Sequence, residues 1–415
     1  MTVFAGAGEA VTTGALLVGF AIGWAVMAVL GKRLSEQPQQ WAVVPGIAMG
    51  VTGAALLLAR PGAQAMDALN WVWPPLMLAL VAWVWIQLRR TVPGNGRWVL
   101  APVLLVLALA PVGAVAGNIA VAHDLAMYPA AGKLYEVNGH RLHIDCRGPD
   151  ATGSPTVVLS NSLGGTSADW ARVMDAISPT TRICAYDRAG QGWSEEAASP
   201  RDGIQSAAEL HTLLGRAGEH GPYVLAGYST GGTYAMNYAA RYPGEVAGMV
   251  LLDSSSPEQL TRMPAFPSQY QMMRRTYGPL STLSRTGIGS LLPGVSPLPA
   301  TDAARVDAVT SAPRSFRNRH DEVATISTVF RQAQALTTLG NRPLVVLTAS
   351  ETAEGTKGWT GAQDALAALS TNSVHRTVTA THLGMVGGVG PAAAAVRAIG
   401  DVVTSTRTHD HLPVR

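Results

Sequence analysis

Charged residues and cysteines are scarce in this 415-residue chain, and each scarcity excludes a class of function. Only 14% of the residues are Asp, Glu, Lys or Arg and the formal net charge is +3, so the composition indicates neither a nucleic-acid partner nor an acidic one. The chain has two cysteines, Cys146 and Cys184, and no Cys/His cluster at metal-ligand spacing, so no metal site is predicted. It also has no nucleotide-binding glycine motif and no internal repeat.

Charge is almost absent from four stretches near the N-terminus, which cover residues 11–31, 41–59, 69–88 and 98–122. Each is close to the roughly 20 residues that a helix needs to cross a bilayer. Together they leave no polar face for a soluble helical bundle. We therefore predict a transmembrane region over residues 1–125. Pro45, Pro74 and Pro75 are expected near helix starts, where proline is tolerated.

The short loops between these stretches indicate an orientation, because basic residues concentrate on the cytoplasmic side. Five basic residues lie in the first and third loops: Lys32, Arg33, Arg89, Arg90 and Arg97. The second loop contains only Arg60, and only Lys133 lies near the end of the fourth stretch. Residues 126–415 are therefore expected outside the cytoplasm. No Lys or Arg precedes the first stretch and three more follow it, so a cleaved signal peptide is not expected.

The span interiors carry no ionisable group, whereas pumps and transporters usually do. The simplest interpretation of this region is that it anchors the protein in a membrane. Glycine pairs such as Gly19 and Gly23 have the G-x-x-x-G spacing that permits close helix packing, so a homo-oligomer formed through the spans is also open.

The most informative motif is the run Gly227-Tyr228-Ser229-Thr230-Gly231, which fits G-x-S-x-G. Residues 222–226 predict a short buried strand before it, and residues 230–242 predict a helix after it. A strand–turn–helix of this kind holds a serine nucleophile on strained backbone, and the flanking glycines allow close packing. The sequence therefore predicts Ser229 as a nucleophile.

Short apolar strands and helical patterns alternate after residue 125. A hairpin signal at Asn138-Gly139 is followed by predicted strands at 156–159, 182–186, 223–226, 247–252, 343–348 and 375–378. This rhythm predicts one α/β domain over residues 126–405, with a mostly parallel sheet covered on both faces and a tail at 406–415. Residues 256–341 contain helical patterns without a clear strand, so they are predicted to form an insertion, or cap.

Six segments, in the same order along the chain, resemble the α/β-hydrolase fold family: GKLYEVNGHRLHIDCRG, SPTVVLSNSLGGTSADW, TRICAYDRAGQGWS, GPYVLAGYSTGG, VAGMVLLDSSSPEQ and RPLVVLTAS. The resemblance covers roughly residues 133–405 and is strongest to a bacterial membrane-anchored branch with an N-terminal multi-span region. It implies a nucleophile, a base, an acid and an oxyanion hole, with no cofactor. Family dehalogenases have an aspartate where this chain has Ser229, so the resemblance favours serine chemistry.

The resemblance places the base after the last strand, where this chain has His382. The acid follows the seventh strand or, less often, the sixth. The loop after the seventh strand has no aspartate and offers Glu351 and Glu354, whereas the sixth strand ends in Asp253. We expect Asp253 to orient the imidazole, with Glu351 as the alternative acid.

The oxyanion hole is expected to use two backbone N–H groups. One belongs to Thr230, directly after the nucleophile, and the other belongs by position to Leu163. The family usually has His-Gly in that second loop, and this chain has the run Asn161-Ser162-Leu163-Gly164-Gly165 instead. Any residue except proline supplies an amide, so the donor is retained. Asp187 and Arg188 in YDRAGQGWS are interpreted as structural.

The resulting hypothesis is a membrane-anchored serine hydrolase, of the esterase or lipase type, acting on a small-molecule or lipid ester. The same residues would also suit a peptidase or an acyltransferase, and a non-enzymatic membrane protein with a decayed hydrolase domain is a further alternative. Apolar residues of the insertion are expected either to line an acyl pocket or to form its own core: Met263, Phe266, Tyr270, Met272, Met273 and Leu291.

The two cysteines fall in strands that are neighbours in the family's sheet order. Outside the cytoplasm, Cys146 and Cys184 are able to form a disulfide. The alternative is a pair of buried thiols that behave as small apolar residues.

Overall fold

The computed structural model describes residues 7–34, 39–92, 98, 100–197, 200–291 and 296–413. The chain folds as two compact units. The first comprises Met1–His123, Arg274–Leu292 and Ser311–His320, and the second comprises Asp124–Met273, Pro293–Thr310 and Asp321–Arg415. Two pieces of the predicted insertion therefore belong to the unit of the N-terminal helices.

The first unit contains four long apolar helices, α1 (Glu9–Leu34), α2 (Val43–Ala59), α3 (Ala63–Thr91) and α4 (Ala101–Met127). All four are long and apolar enough to cross a membrane, with the turn Gln40–Ala42 extending the second. They correspond to the four predicted stretches. Pro45 is the third residue of α2, as expected for a proline near a helix start. Arg97, counted in the third loop, lies outside the described residues.

The expectation that Pro74 and Pro75 lie near a helix start is wrong, because α3 begins at Ala63 and both prolines are inside it. Pro74 has no N–H, so the carbonyl of Asn70, four residues earlier, loses its helical donor. Asn118 of α4 compensates, since its Nδ2 donates to Asn70 O at 3.2 Å, and Asn70 Nδ2 donates in return to Asn118 Oδ1 at 2.7 Å. An interhelical amide pair thus makes the interior proline tolerable in an apolar helix.

The second unit is built on an eight-stranded sheet in the order β1-β2-β4-β3-β5-β6-β7-β8. The strands are β1 (Lys133–Val137), β2 (His140–Arg147), β3 (Thr156–Ser160), β4 (Ile183–Tyr186), β5 (Tyr223–Tyr228), β6 (Val246–Leu252), β7 (Leu344–Ala349) and β8 (Ser373–Val378). The first two form a hairpin and β2 is antiparallel to β4, whereas all later pairs are parallel. The prediction of a mostly parallel sheet is confirmed.

Helices cover both faces of this sheet. After α4 the chain forms α5 (Ala171–Ile177), α6 (Gly203–Ala217), α7 (Thr230–Arg241), α8 (Gln259–Arg262), α9 (Phe266–Ser284), α10 (Ala300–Thr310), α11 (Pro313–Ala333), α12 (Ser350–Gly355), α13 (Trp359–Ala367) and α14 (Val389–Thr408). One buried apolar cluster joins the sheet to α5 and α14, and another joins it to α6 and α7. The last helix continues into the predicted tail, where Leu412 is also buried in the first cluster.

The insertion between β6 and β7 consists of α8 to α11, with no strand among its described residues. Met263, Phe266 and Tyr270 are buried, whereas Met272 is 63% exposed. The ring of Phe266 stacks on Tyr270 and on Phe330, with centroids 6.5 and 6.1 Å apart. Phe266 therefore packs within the insertion itself. The side chain of Leu291 lies outside the described part of the chain.

The two cysteines face each other in the register of β2 and β4. Cys146 pairs directly with Cys184, and a disulfide joins them. Of the two possibilities left open by the sequence, the structure has the bonded one.

Candidate active site

Ser229 lies in the turn between β5 and α7 with φ 55° and ψ −126°, a strained conformation for a residue with a side chain. Its N–H donates to Leu252 O at 3.1 Å, which ties the turn to the end of β6. The glycines around it are required by packing, because a Cβ on Gly231 would lie 2.1 Å from Ser160 O and one on Gly227 would lie 2.4 Å from Gly232 Cα. The turn thus lifts the Ser229 hydroxyl out of a tightly packed junction of three segments.

His382 lies in the loop between β8 and α14, with its imidazole directed at Ser229. The distance from His382 Nε2 to Ser229 Oγ is 3.1 Å, and that from Nδ1 to Asp253 Oδ2 is 2.6 Å. With a proton on Nδ1, Nε2 is free to accept the serine proton. The Tyr228 hydroxyl donates to His382 O at 2.7 Å and anchors the loop. Burial, with Asp169 and Asp253 adding to it, raises the pKa of Tyr228, so this phenol remains a donor at neutral pH.

Asp253 directly follows β6 and is fully buried, with φ 41°. Its carboxylate accepts hydrogen bonds from three groups besides the imidazole: Ala349 N at 3.1 Å, Trp359 Nε1 at 2.8 Å and Thr352 Oγ1 at 2.5 Å. These donors come from the end of β7 and from the two helices that follow it. They fix the orientation of the carboxylate, so one oxygen faces His382 Nδ1.

Glu351, the alternative acid, contacts the same histidine elsewhere. Its Oε2 accepts a hydrogen bond from the backbone N of His382 at 2.8 Å. The structure therefore brings Asp253 to the imidazole ring and Glu351 to the backbone of the loop.

The two proposed oxyanion donors belong to segments that meet at the nucleophile turn. Thr230 is the first residue of α7, where a backbone N–H has no acceptor within the helix. Leu163 lies in the loop after β3. The end of β3 and the start of that loop pack against the turn, since a Cβ on Gly231 would lie 2.1 Å from Ser160 O and 2.6 Å from Asn161 O. Next to Leu163, Gly164 N donates to Glu322 Oε2 at 2.7 Å, which holds the loop from the side of the insertion.

Comparison with known proteins agrees with the fold of the second unit. A family profile described as alpha/beta hydrolase fold matches residues 155–333. The crystal structure of AncHLD2, a putative ancestral haloalkane dehalogenase, matches with a TM-score of 0.52 at 16% identity, over 66% of this chain and 99% of that one. The chain contains an α/β-hydrolase fold.

Curated relatives are similar in sequence to parts of this chain. An uncharacterized protein of Schizosaccharomyces pombe is 32% identical over 194 residues, which cover 40% of this chain and 36% of that protein. The putative carbamate hydrolase RutD of Agrobacterium fabrum is 29% identical over 115 residues, which cover 28% of this chain and 44% of that protein. This chain therefore spans less than half of the length of either relative.

One group of possible metal ligands lies close together in the described part of the α/β-hydrolase fold. The sulfurs of Cys146 and Cys184 and a carboxylate oxygen of Glu219 are within 4.8 Å of one another. The sulfurs are joined in the disulfide, so they do not offer the thiolates that a metal requires.

Several residues that support the site were not predicted from the sequence. Thr352 and Trp359 hold Asp253, and Glu322 holds the loop of Leu163. None of the three lies in a recognisable short motif. For Glu322, the sequence offered one indirect signal. Arg188 in the family-like segment YDRAGQGWS has a buried guanidinium, and this group pairs with Glu322 at 2.7 Å.

Proposed function

We propose that this protein is a membrane-anchored serine hydrolase that cleaves carboxylic esters through an acyl-enzyme on Ser229. The proposal rests on the hydrogen-bonded series from Ser229 Oγ through His382 to Asp253, at 3.1 and 2.6 Å. A serine hydroxyl needs a base within hydrogen-bond reach, and that base needs an orienting partner. The three side chains meet both requirements.

In the proposed reaction, Ser229 Oγ attacks the ester carbonyl while His382 Nε2 takes the serine proton. Asp253 stabilises the imidazolium, and the N–H groups of Thr230 and Leu163 bind the oxyanion. The carbon–oxygen bond to the alcohol then breaks, and His382 returns its proton to the leaving alkoxide. Water, activated by the same imidazole, hydrolyses the acyl-enzyme, which releases the acid and restores the serine.

An exposed apolar side chain next to the base in the sequence favours an apolar ester. Leu383, which directly follows His382, is 70% exposed. An apolar side chain left in water gains free energy when an apolar acyl or alcohol group covers it. We therefore propose esters with an apolar chain as the substrate class, and a peptidase or acyltransferase as the alternative.

The ion pairs of the first unit support an extracytoplasmic position for the insertion. Arg285 and Arg317 of the insertion bind Glu9 at the start of α1 and Asp67 near the start of α3. If four successive helices cross a bilayer, the starts of the first and third lie on the same side. Basic residues at the opposite ends of these two helices, Lys32, Arg33, Arg89 and Arg90, mark that other side as cytoplasmic.

The disulfide supports the same side for the catalytic unit. Cys146 and Cys184 are bonded, and structural disulfides persist in oxidising compartments outside the cytoplasm. This observation is independent of the basic residues and of the ion pairs.

A fluorophosphonate probe and a series of p-nitrophenyl esters test the proposed activity. Wild type should be labelled and should hydrolyse the esters, whereas Ser229→Ala should lose the label and at least about 10³-fold of its turnover. Ser178→Ala, which removes a serine at the end of α5, is the matched control and should behave as wild type.

Each other outcome points elsewhere. A folded wild-type protein without a label would contradict the proposal and favour the decayed-hydrolase alternative. Labelling at Ser229 without turnover of any ester would favour the peptidase or acyltransferase.

A further inference from the structure

The peptide bond between Ser162 and Leu163 is held firmly by its carbonyl. Ser162 O accepts hydrogen bonds from Arg188 Nη2 at 3.0 Å, Gln191 Nε2 at 3.2 Å and Gly165 N at 3.1 Å. In a planar trans peptide the C=O and the following N–H point in opposite directions. Fixing Ser162 O therefore fixes the direction of the Leu163 N–H, the second donor of the proposed oxyanion hole.

Arg188 holds this carbonyl as part of a buried arrangement. Its Nη1 donates to Asn161 O at 2.8 Å, and its guanidinium lies over the ring of Tyr234 in α7, 4.0 Å from the centroid. Nη2 and Nε also donate to Glu322 Oε1, at 2.7 and 3.2 Å. The planar fork of an arginine serves these directions at once, which a lysine does not do. Although burial alone lowers the pKa of Arg188, Glu322 raises it, so the guanidinium is charged.

Glu322 lies in α11 of the insertion and contacts the same loop. Besides Arg188, its carboxylate accepts hydrogen bonds from Gln191 Nε2 at 2.9 Å and from Gly164 N at 2.7 Å. Glu322 thus holds Gly164 directly and holds Ser162 through Arg188. A carboxylate that accepts four hydrogen bonds in a buried site has a fixed position.

We propose that Glu322 and Arg188 are positioning residues that aim the Leu163 N–H at the oxyanion. The inference rests on the proposed function and extends it, because it gives the insertion a part in stabilising the transition state. Neither side chain touches the reacting atoms. Their effect passes through the Ser162–Leu163 peptide, so it belongs to kcat and not to binding of the ground-state ester.

The test compares Glu322→Gln and Arg188→Lys with Glu219→Gln. Glu219 is the matched control, since it is also buried and also pairs with an arginine, Arg182, at 2.5 Å. That pair lies at the amino ends of β4 and β5, away from the loop of Leu163. In Glu322→Gln and Arg188→Lys, kcat should fall about 10- to 100-fold. Loss of one oxyanion donor costs roughly 10²- to 10³-fold, and in these variants the donor is displaced and not removed.

Four further measurements distinguish a positioning role from a general loss of folding. KM for the p-nitrophenyl ester should stay within about threefold of wild type, and affinity for a boronic acid that forms a tetrahedral adduct on Ser229 should fall with kcat. Glu219→Gln should keep wild-type kcat at a comparable loss of thermal stability. Gln191→Met removes the bonds from Nε2 to Ser162 O and to Glu322 Oε1, while Glu322 keeps its pair with Arg188. This variant should lower kcat by roughly three- to tenfold and serves if Glu322→Gln does not fold.

Unchanged kcat in folded Glu322→Gln or Gln191→Met would overturn the positioning role and leave the proposed function standing. A parallel rise of KM, or an equal loss in Glu219→Gln, would overturn it too. Absence of any Ser229-dependent hydrolysis in wild type would instead overturn the proposed function, and the positioning role with it.

Discussion

At the scale of single residues, two carboxylates contact His382, one at its imidazole ring and the other at its backbone N–H. Asp253 faces Nδ1 of the ring at 2.6 Å, whereas Glu351 accepts from the backbone N at 2.8 Å. A carboxylate on Nδ1 selects the tautomer in which Nε2 accepts a proton. A carboxylate on the backbone N orders the loop but has no influence on the tautomer.

Asp253→Asn should lower kcat by about 10⁴-fold. The amide is able to donate to Nδ1, which places the ring proton on Nε2 and removes the acceptor for Ser229. Backbone strain does not explain such a loss, since asparagine tolerates the positive φ of 41° at this position as well as aspartate does. The measurement is kcat on a p-nitrophenyl ester, with thermal unfolding as the check on folding.

Glu351→Gln is the matched comparison and should have a mild effect, because an amide oxygen still accepts from His382 N. A large loss in Glu351→Gln with a small one in Asp253→Asn would reassign the acid to the segment after β7.

The choice between these carboxylates shows which features of the site could be predicted from the sequence and which could not. Ser229 was selected from the G-x-S-x-G motif, and His382 and both carboxylates were selected from the places that the family resemblance implies for the base and the acid. The structure brings all four residues together. Which carboxylate meets the ring depends on side-chain direction and on donors such as Trp359, 106 residues away from Asp253. No local pattern encodes a contact of that kind.

At the scale of secondary-structure elements, a buried group of charges joins the insertion to the starts of α1 and α3. Glu9 and Arg285 are 3% and 6% exposed at the side chain, and Arg317 Nη1 lies 2.9 Å from Glu9. Arg285 also donates to Met66 O at 2.9 Å. Removal of one member leaves an opposite charge buried without its full set of partners, and that penalty is larger than the gain from forming the pair.

Arg285→Ala should therefore destabilise the protein by about 3–5 kcal/mol. Thermal unfolding in detergent measures the effect. The control is Arg262→Ala, which removes an exposed pair with Glu258 one helical turn away and should cost less than about 1 kcal/mol. Equal shifts of the unfolding temperature in the two variants would show that the buried group does not hold the insertion to the helices.

The same elements explain why the helices were located from sequence while their ends were not. Apolar composition identifies the part of a helix that is able to lie in a bilayer, and the four stretches were found in this way. Glu9 and Asp67 are polar residues that belong to α1 and α3, and they fall before the predicted stretches at 11–31 and 69–88. Both carboxylates accept hydrogen bonds from Arg285, which is more than 200 residues away in the sequence.

At the scale of the whole molecule, the disulfide and the basic residues bear on the same question, the side of the membrane on which the second unit would lie in the proposed topology. The disulfide spans a sequence separation of 38 residues and joins two neighbouring strands of the catalytic unit. It forms stably in an oxidising compartment, whereas cytoplasmic reductants keep such thiols reduced. The redox state of Cys146 and Cys184 in cells therefore reports the location of this unit.

Alkylation of denatured, unreduced protein from intact cells should label neither cysteine, and prior reduction should expose both. Cys146→Ser is the control, because it leaves Cys184 without a partner and open to the reagent before reduction. Loss of the bond in that variant should also cost about 2–5 kcal/mol of stability, as removal of native disulfides from secreted domains does. Labelling of both cysteines in unreduced wild type would reject the disulfide and weaken the extracytoplasmic assignment.

Protease added to spheroplasts tests the side of the membrane directly. Cleavage within residues 126–415 is expected if this part lies outside the cytoplasm, and protection of this part in sealed spheroplasts would reverse the proposed topology.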